Sequence, residues 1–133
     1  PLSRLPAAAV RKEIADTQKL IEDTLGVKSV LFAPPAGDFS GETVRIASSL
    51  GLRTILWTLD TIDWKEPPPE SVVRKVSLRV EPGSLILMHP TDSARRALEG
   101  IIREVKSRGL LLGTVSETIS PARPAEVEPQ TGF

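Results

Sequence analysis

Four short apolar runs, separated by stretches with helical spacing, constrain this 133-residue chain more than any other feature. The runs are residues 27–32, 53–59, 84–89 and 110–115. They are continuously apolar rather than alternating, as expected of parallel strands covered on both faces. Between them lie helical patterns with recognisable ends. Residues 6–25 carry Val10, Ile14, Ile21 and Leu25 on one side, with Pro6 in the first turn and Gly26 as a stop. Ser40 can cap a helix carrying Val44, Ala47 and Leu50, which ends at Gly51. Pro67-Pro68-Pro69 is a rigid lead into a short helix with Val72, Val73 and Val76 inward. Thr91 or Asp92 can cap a long helix with Ala94, Leu98, Ile101, Ile102 and Val105 on one face, closed by Gly109, and residues 115–119 can form a last helical turn.

The order α-β-α-β-α-β-α-β with short connections implies right-handed crossovers and an α/β fold. Four parallel strands suit either a small open sheet or part of a barrel. The pattern opens on a helix with no strand before it, so an incomplete sheet is expected, needing another segment of the same domain or a second copy of the chain to cover its edges. One domain is expected over residues 1–120, followed by a Pro- and Glu-rich tail over 121–133.

Lys plus Arg and Asp plus Glu both total 17, which leaves no basic footprint for nucleic acid. The absence of cysteine excludes disulfides and thiolate metal sites. No apolar run approaches the ~20 residues of a membrane span, and no signal-peptide pattern begins the chain. There is one histidine, too few for most metal or acid-base sites.

That histidine, His89, ends the run Leu85-Ile86-Leu87-Met88. Asp60, Asp63 and Trp64 follow Thr54-Ile55-Leu56-Trp57, and Ala33-Pro34-Pro35-Ala36-Gly37 follows Val30-Leu31-Phe32. If the runs are neighbouring strands, all three clusters sit at the carboxyl end of one sheet, where βα architectures place chemistry. A histidine there is either a hydrogen-bonded structural residue or a proton-transfer group. The carboxylates can cap a following helix, although two of them three residues apart exceed what one cap requires. An aspartate bonded to an imidazole fixes its tautomer and favours its protonated form, which suits a general acid. The Pro-Pro turn is a rigid loop, or else a stiff backbone presenting the Ala36 N–H to an oxyanion.

Taken together and in this order, the clusters resemble motifs of the polysaccharide deacetylases of the NodB-homology type, carbohydrate esterase family 4. The likeness runs over residues 1–120 and leans to the branch associated with sporulation. Trp57-Thr58-Leu59-Asp60-Thr61-Ile62-Asp63-Trp64 resembles the fourth motif, Leu87-Met88-His89 the fifth, and Ala33-Pro34-Pro35-Ala36-Gly37 the third. Leu2-Ser3-Arg4-Leu5 is similar to the stretch after the second. The resemblance implies the C-terminal portion of a distorted (β/α) barrel with parallel strands. It implies removal of N-acetyl groups from a cell-wall or spore glycan outside the cytoplasm. His89 would be general acid, Asp63 would orient it, and Asp60 would support the loop. Trp64 and Pro35 would wall the groove, Leu87 would line the acetyl pocket, and Ala36 would serve the oxyanion. The family's divalent metal, usually zinc, would not be held by this chain alone, because the motifs with its ligands have no counterpart here. Ala33 stands where the family has arginine and Ala36 where it has an aromatic. These departures weaken activity or leave a degenerate module that binds glycan or protein.

Overall fold

A computed structural model describes residues 1–120, so the expected tail lies outside the described residues. The chain divides into two compact units, Pro1–Leu56 and Trp57–Phe133.

In the first unit, helix α1 spans Ala7–Leu25 and ends on Gly26, whose φ of 66° is the left-handed conformation that lets its N–H close on Glu22 O. Helix α2 spans Gly41–Ser49 and starts on a reciprocal cap. The Ser40 hydroxyl accepts the Thr43 N–H, and the Thr43 hydroxyl accepts that of Ser40. Val10 and Ile14 of α1 pack with Ile46 and Ala47 of α2 and with Leu52, and Phe32 and Leu50 lie against them. Each such aliphatic side chain contributes roughly 1.5–3 kcal/mol when fully buried. Strand β1 (Leu31–Phe32) runs parallel to β2 (Arg53–Thr54), with Leu31 opposite Arg53.

In the second unit, β3 (Leu59–Asp60) runs parallel to β4 (Ile86–Leu87), Asp60 opposite Leu87. Between them in sequence lies α3 (Pro69–Arg79), with proline at its first position as helix starts favour. After β4 comes α4 (Asp92–Ser107), capped by the Thr91 hydroxyl, which accepts the Ala94 N–H. Val72, Val76 and Val80 pack with Ala97, Ile101, Val105 and Leu59. Gly100 makes the α3–α4 approach possible, since a β-carbon there would lie 2.8 Å from Val73 Cγ2. Helix α5 (Val115–Thr118) follows, capped by the Thr114 hydroxyl, which accepts the Glu117 N–H.

The strands are parallel as expected but far shorter. The run 53–59 is not one strand: β2 pairs with β1, and β3 pairs with β4. The run 110–115 contributes only a bridge at Leu110. Strand length is set by how much ladder the neighbour offers rather than by how long the apolar run is. Three inward assignments also fail. Val44 is exposed because the row descending from the Ser40 cap is 43, 46, 47 and 50. Leu25 lies exposed at the end of α1, and Leu98 is on the flank of α4, 46% exposed, beside Met88 and His89.

Candidate active site

The second unit's polar cluster forms where β3 and β4 end. After β3 the chain turns through Thr61 and Ile62 into a single 3-10 turn, Asp63–Lys65. Ile62 takes the left-handed conformation (φ 58°), which a β-branched residue seldom adopts. The Asp60 carboxylate steadies this turn by accepting the Ile62 N–H at 2.8 Å. Asp60 therefore shapes the loop.

Asp63 is the centre of the cluster, its side chain fully buried. Oδ2 accepts the His89 backbone N–H at 2.9 Å and the Thr91 hydroxyl at 2.9 Å. Oδ1 accepts the Thr61 hydroxyl at 2.6 Å and faces His89 Nδ1 at 3.0 Å. Burial pushes the carboxyl's pKa up, but the donors from Thr61, His89 and Thr91 outweigh it and hold the group well below the usual carboxylate range. An ionised Asp63 only accepts, so the imidazole meets it with Nδ1–H and presents Nε2 outward. The His89 side chain is 40% exposed and opens on a recess of about 530 Å³ lined by Met88, Pro90, Thr91, Ala94 and Leu98. The arrangement can present one oriented imidazole to a ligand and pass a proton at Nε2.

Trp64, next to Asp63, is 54% exposed, with Lys65 Nζ 5.0 Å from its ring centroid. Leu87 ends β4, and its carbonyl lies 3.0 Å from the Thr61 hydroxyl oxygen, whose one proton goes to the closer Asp63 Oδ1. Asp60, Asp63, Trp64, Leu87 and His89 all lie in the second unit around the ends of β3 and β4, and Thr61 and Thr91, which the sequence reading did not assign to the site, donate to the carboxylate. Their spacing, a hydroxyl residue two positions before the aspartate and two after the histidine, is too common to have singled them out.

Pro35 and Ala36 belong to the first unit, in the 3-10 turn Pro35–Gly37. Ala36 has φ 55°, and the turn closes through Gly37 N–H to Pro34 O and Asp38 N–H to Pro35 O. The Ser3 hydroxyl and N–H both donate to Asp38, whose carboxyl they hold below its ordinary pKa.

Among the described residues no three His, Cys, Asp or Glu side chains converge. Asp63 has both oxygens engaged by donors, and the His89 nitrogen nearest it faces a carboxylate. These residues do not present the ligand set of a catalytic zinc. A second recess, about 380 Å³, lies at the other end of β4 beside Glu81, Ser84 and Leu111, away from His89.

The polysaccharide deacetylase family profile matches residues 1–55. Over 122 residues the chain is 38% identical to YlxY, an uncharacterised protein of Bacillus subtilis, covering 92% of this chain and 38% of YlxY. The chain belongs to the polysaccharide deacetylase family. Among solved structures, it is similar to a pseudoenzyme of carbohydrate esterase family 4 from Bacillus anthracis, with TM-score 0.79 and 39% identity, over 80% of this chain and 38% of that one. A mutant of that pseudoenzyme is described as having restored enzymatic activity. The peptidoglycan deacetylase PdaC of Bacillus subtilis matches with TM-score 0.77 and 30% identity, over 88% of this chain and 57% of that one. This chain spans under two fifths of YlxY, and members of the family are generally metal-dependent. No helix among the described residues is long and apolar enough to cross a membrane.

Proposed function

We propose that this polysaccharide-deacetylase chain forms the proton-donating side of a site that removes N-acetyl groups from a cell-wall or spore glycan, outside the cytoplasm, as C-terminal part of a distorted (β/α) barrel. The observation that carries it is the buried Asp63 carboxylate 3.0 Å from His89 Nδ1, with the imidazole open to a recess. Amide hydrolysis needs a proton delivered to the departing amine, and an imidazole held by a buried carboxylate is built for that delivery. Here His89 gives the proton from Nε2, and Asp63 orients the ring and balances its charge. Asp60 keeps the loop in shape, Trp64 walls the sugar groove, and Leu87 lines the acetyl pocket; the resemblance alone gives Pro35 a part in binding the sugar. The resemblance alone gives the oxyanion to the Ala36 N–H. The metal of the family, zinc in most members, would supply an activated water, and nothing in the described residues of this chain holds it.

The test uses the full product of the gene that carries this chain, assayed for acetate release from chitooligosaccharide or peptidoglycan. Acetate above a His89→Ala control is expected. A rate equal to that control refutes the enzymatic reading.

A second reading, a catalytically degenerate module that binds glycan or a protein partner, is favoured by Ala33 and Ala36 and by the likeness to a pseudoenzyme. Loss of one positioned polar contact is commonly worth ~10²–10³ in rate, so Ala33 alone weighs heavily. Oligosaccharide binding that is unchanged by zinc, without acetate release, supports this reading.

A further inference from the structure

Thr91 does two things with one hydroxyl. Its oxygen accepts the Ala94 N–H at 3.0 Å, which caps α4. Its single proton is then directed to Asp63 Oδ2 at 2.9 Å. Thr61 adds a second hydroxyl at 2.6 Å to Oδ1, and the His89 backbone N–H a third donor at 2.9 Å to Oδ2. None of these three donors titrates. Both oxygens of Asp63 are therefore served before the imidazole is counted, and the carboxylate has reason to stay ionised whether His89 carries one proton or two.

We propose that Thr91 is a positioning residue for His89: by pinning Asp63 Oδ2 from the cap of α4, it fixes the carboxylate plane so that Oδ1 faces Nδ1, holding the imidazole as its Nδ1–H tautomer with Nε2 free to exchange the proton. This rests on the general-acid reading of His89 given above. The linkage is short and stiff. Thr91 lies two residues after His89, and its N–H bonds the His89 carbonyl at 2.8 Å. The turn that carries Asp63 is tied to α4 as well, where Glu66 accepts the Ser93 N–H at 3.1 Å. The other charged groups around the recess are Asp92 and Arg95, which pair with each other at 2.6 Å on the exposed rim. Without the Thr91 hydroxyl, Oδ2 keeps only the His89 N–H and Oδ1 only the Thr61 hydroxyl, so the carboxylate is held less firmly against Nδ1. The ring's preference for the Nδ1–H tautomer then weakens.

The chain's only histidine makes the readout unambiguous, since the imidazole ¹⁵N resonances of the labelled protein all belong to His89. The wild-type ring is expected as Nδ1–H. In Thr91→Val the tautomer ratio is expected to shift by about tenfold toward an even mixture, the weight of a hydrogen bond to a charged acceptor. Thr91→Ser, which keeps the hydroxyl, restores the wild-type ratio. A residue that merely caps α4 lowers the melting temperature when lost but leaves the tautomer where it was. Thr91→Val with the wild-type ratio therefore overturns the assignment, as does a wild-type ring protonated at Nε2. Should Thr91→Val fail to fold, the wild-type chain decides: a resolved, slowly exchanging Thr91 hydroxyl proton supports the bond to Asp63, and one averaged with water refutes it. A ratio that moves with Thr91 in a protein releasing no acetate supports the positioning role and sinks only the hydrolase reading.

Discussion

A carboxylate with no exposed surface is tolerated at Asp63 because four protein groups face it, and that dependence runs both ways. Removing the carboxylate leaves the Thr61 and Thr91 hydroxyls and the His89 N–H without their acceptor. Asp63→Ala is therefore expected to cost about 3 kcal/mol or more of stability, read by urea denaturation. The pH dependence has a definite sign. The folded carboxyl titrates below its ordinary value of 3.8, so its contribution is fully present above that value. It is lost as pH falls through 3.8 toward the lower folded value, because the unfolded chain takes up the proton first. Stability of the wild type should decline across that acid window, and Asp63→Asn should flatten the decline. Thr54 presents the opposite case, a buried hydroxyl oxygen that lacks a protein partner. Thr54→Val keeps the shape and removes that burden, with an expected gain of about 1 kcal/mol by thermal or urea melting.

Helices carry most of the packing, and their contact is set by small residues as much as by large ones. At Gly100 a methyl would meet Val73 Cγ2 at 2.8 Å, so Gly100→Ala is expected to destabilise by about 1–3 kcal/mol despite alanine's better helix propensity. The penalty should shrink in a Val73→Ala background, a coupling that a double-mutant cycle measures directly. The turn after β3 makes a different demand. Asp60→Ala removes the acceptor of the Ile62 N–H where the backbone is already in the left-handed region, and about 1 kcal/mol of stability should go with it. The helix ends were legible in the sequence because caps are local chemistry: Gly26, Ser40 and Thr91 each act within a few residues of themselves. The strands were not, because whether Ile55 or Leu111 joins a ladder depends on a neighbour distant in sequence. The pair Asp63 and His89 could be read from their positions just past two apolar runs. Thr61 and Thr91 could not, since hydroxyl residues beside strand ends are commonplace and only the folded register turns these two toward one carboxylate.

Among the described residues, burial is concentrated in two helix-based clusters, while the segments expected to be strands leave apolar side chains in water. Val27 and Val30 of the first unit are 58% and 56% exposed, and Leu111 and Leu112 of the second are 38% and 51% exposed. Such residues flank backbone with little ladder of its own, and exposed apolar strand-like segments invite pairing with another chain or segment. At roughly 25 cal/mol per Å² of apolar area, covering even a few hundred Å² on each side would favour association by several kcal/mol before the cost of ordering. The chain on its own is therefore expected to self-associate with rising concentration, measured as a shift in sedimentation coefficient. Charged replacements discriminate the two segments. Val30→Lys should suppress association if the first unit supplies the contact, and Leu112→Lys if the second does. The full gene product, if it supplies the covering segment itself, should sediment as a single species over the same range. A chain that stays monomeric at every concentration, with its melting temperature unchanged by either lysine, would show that these segments need no cover.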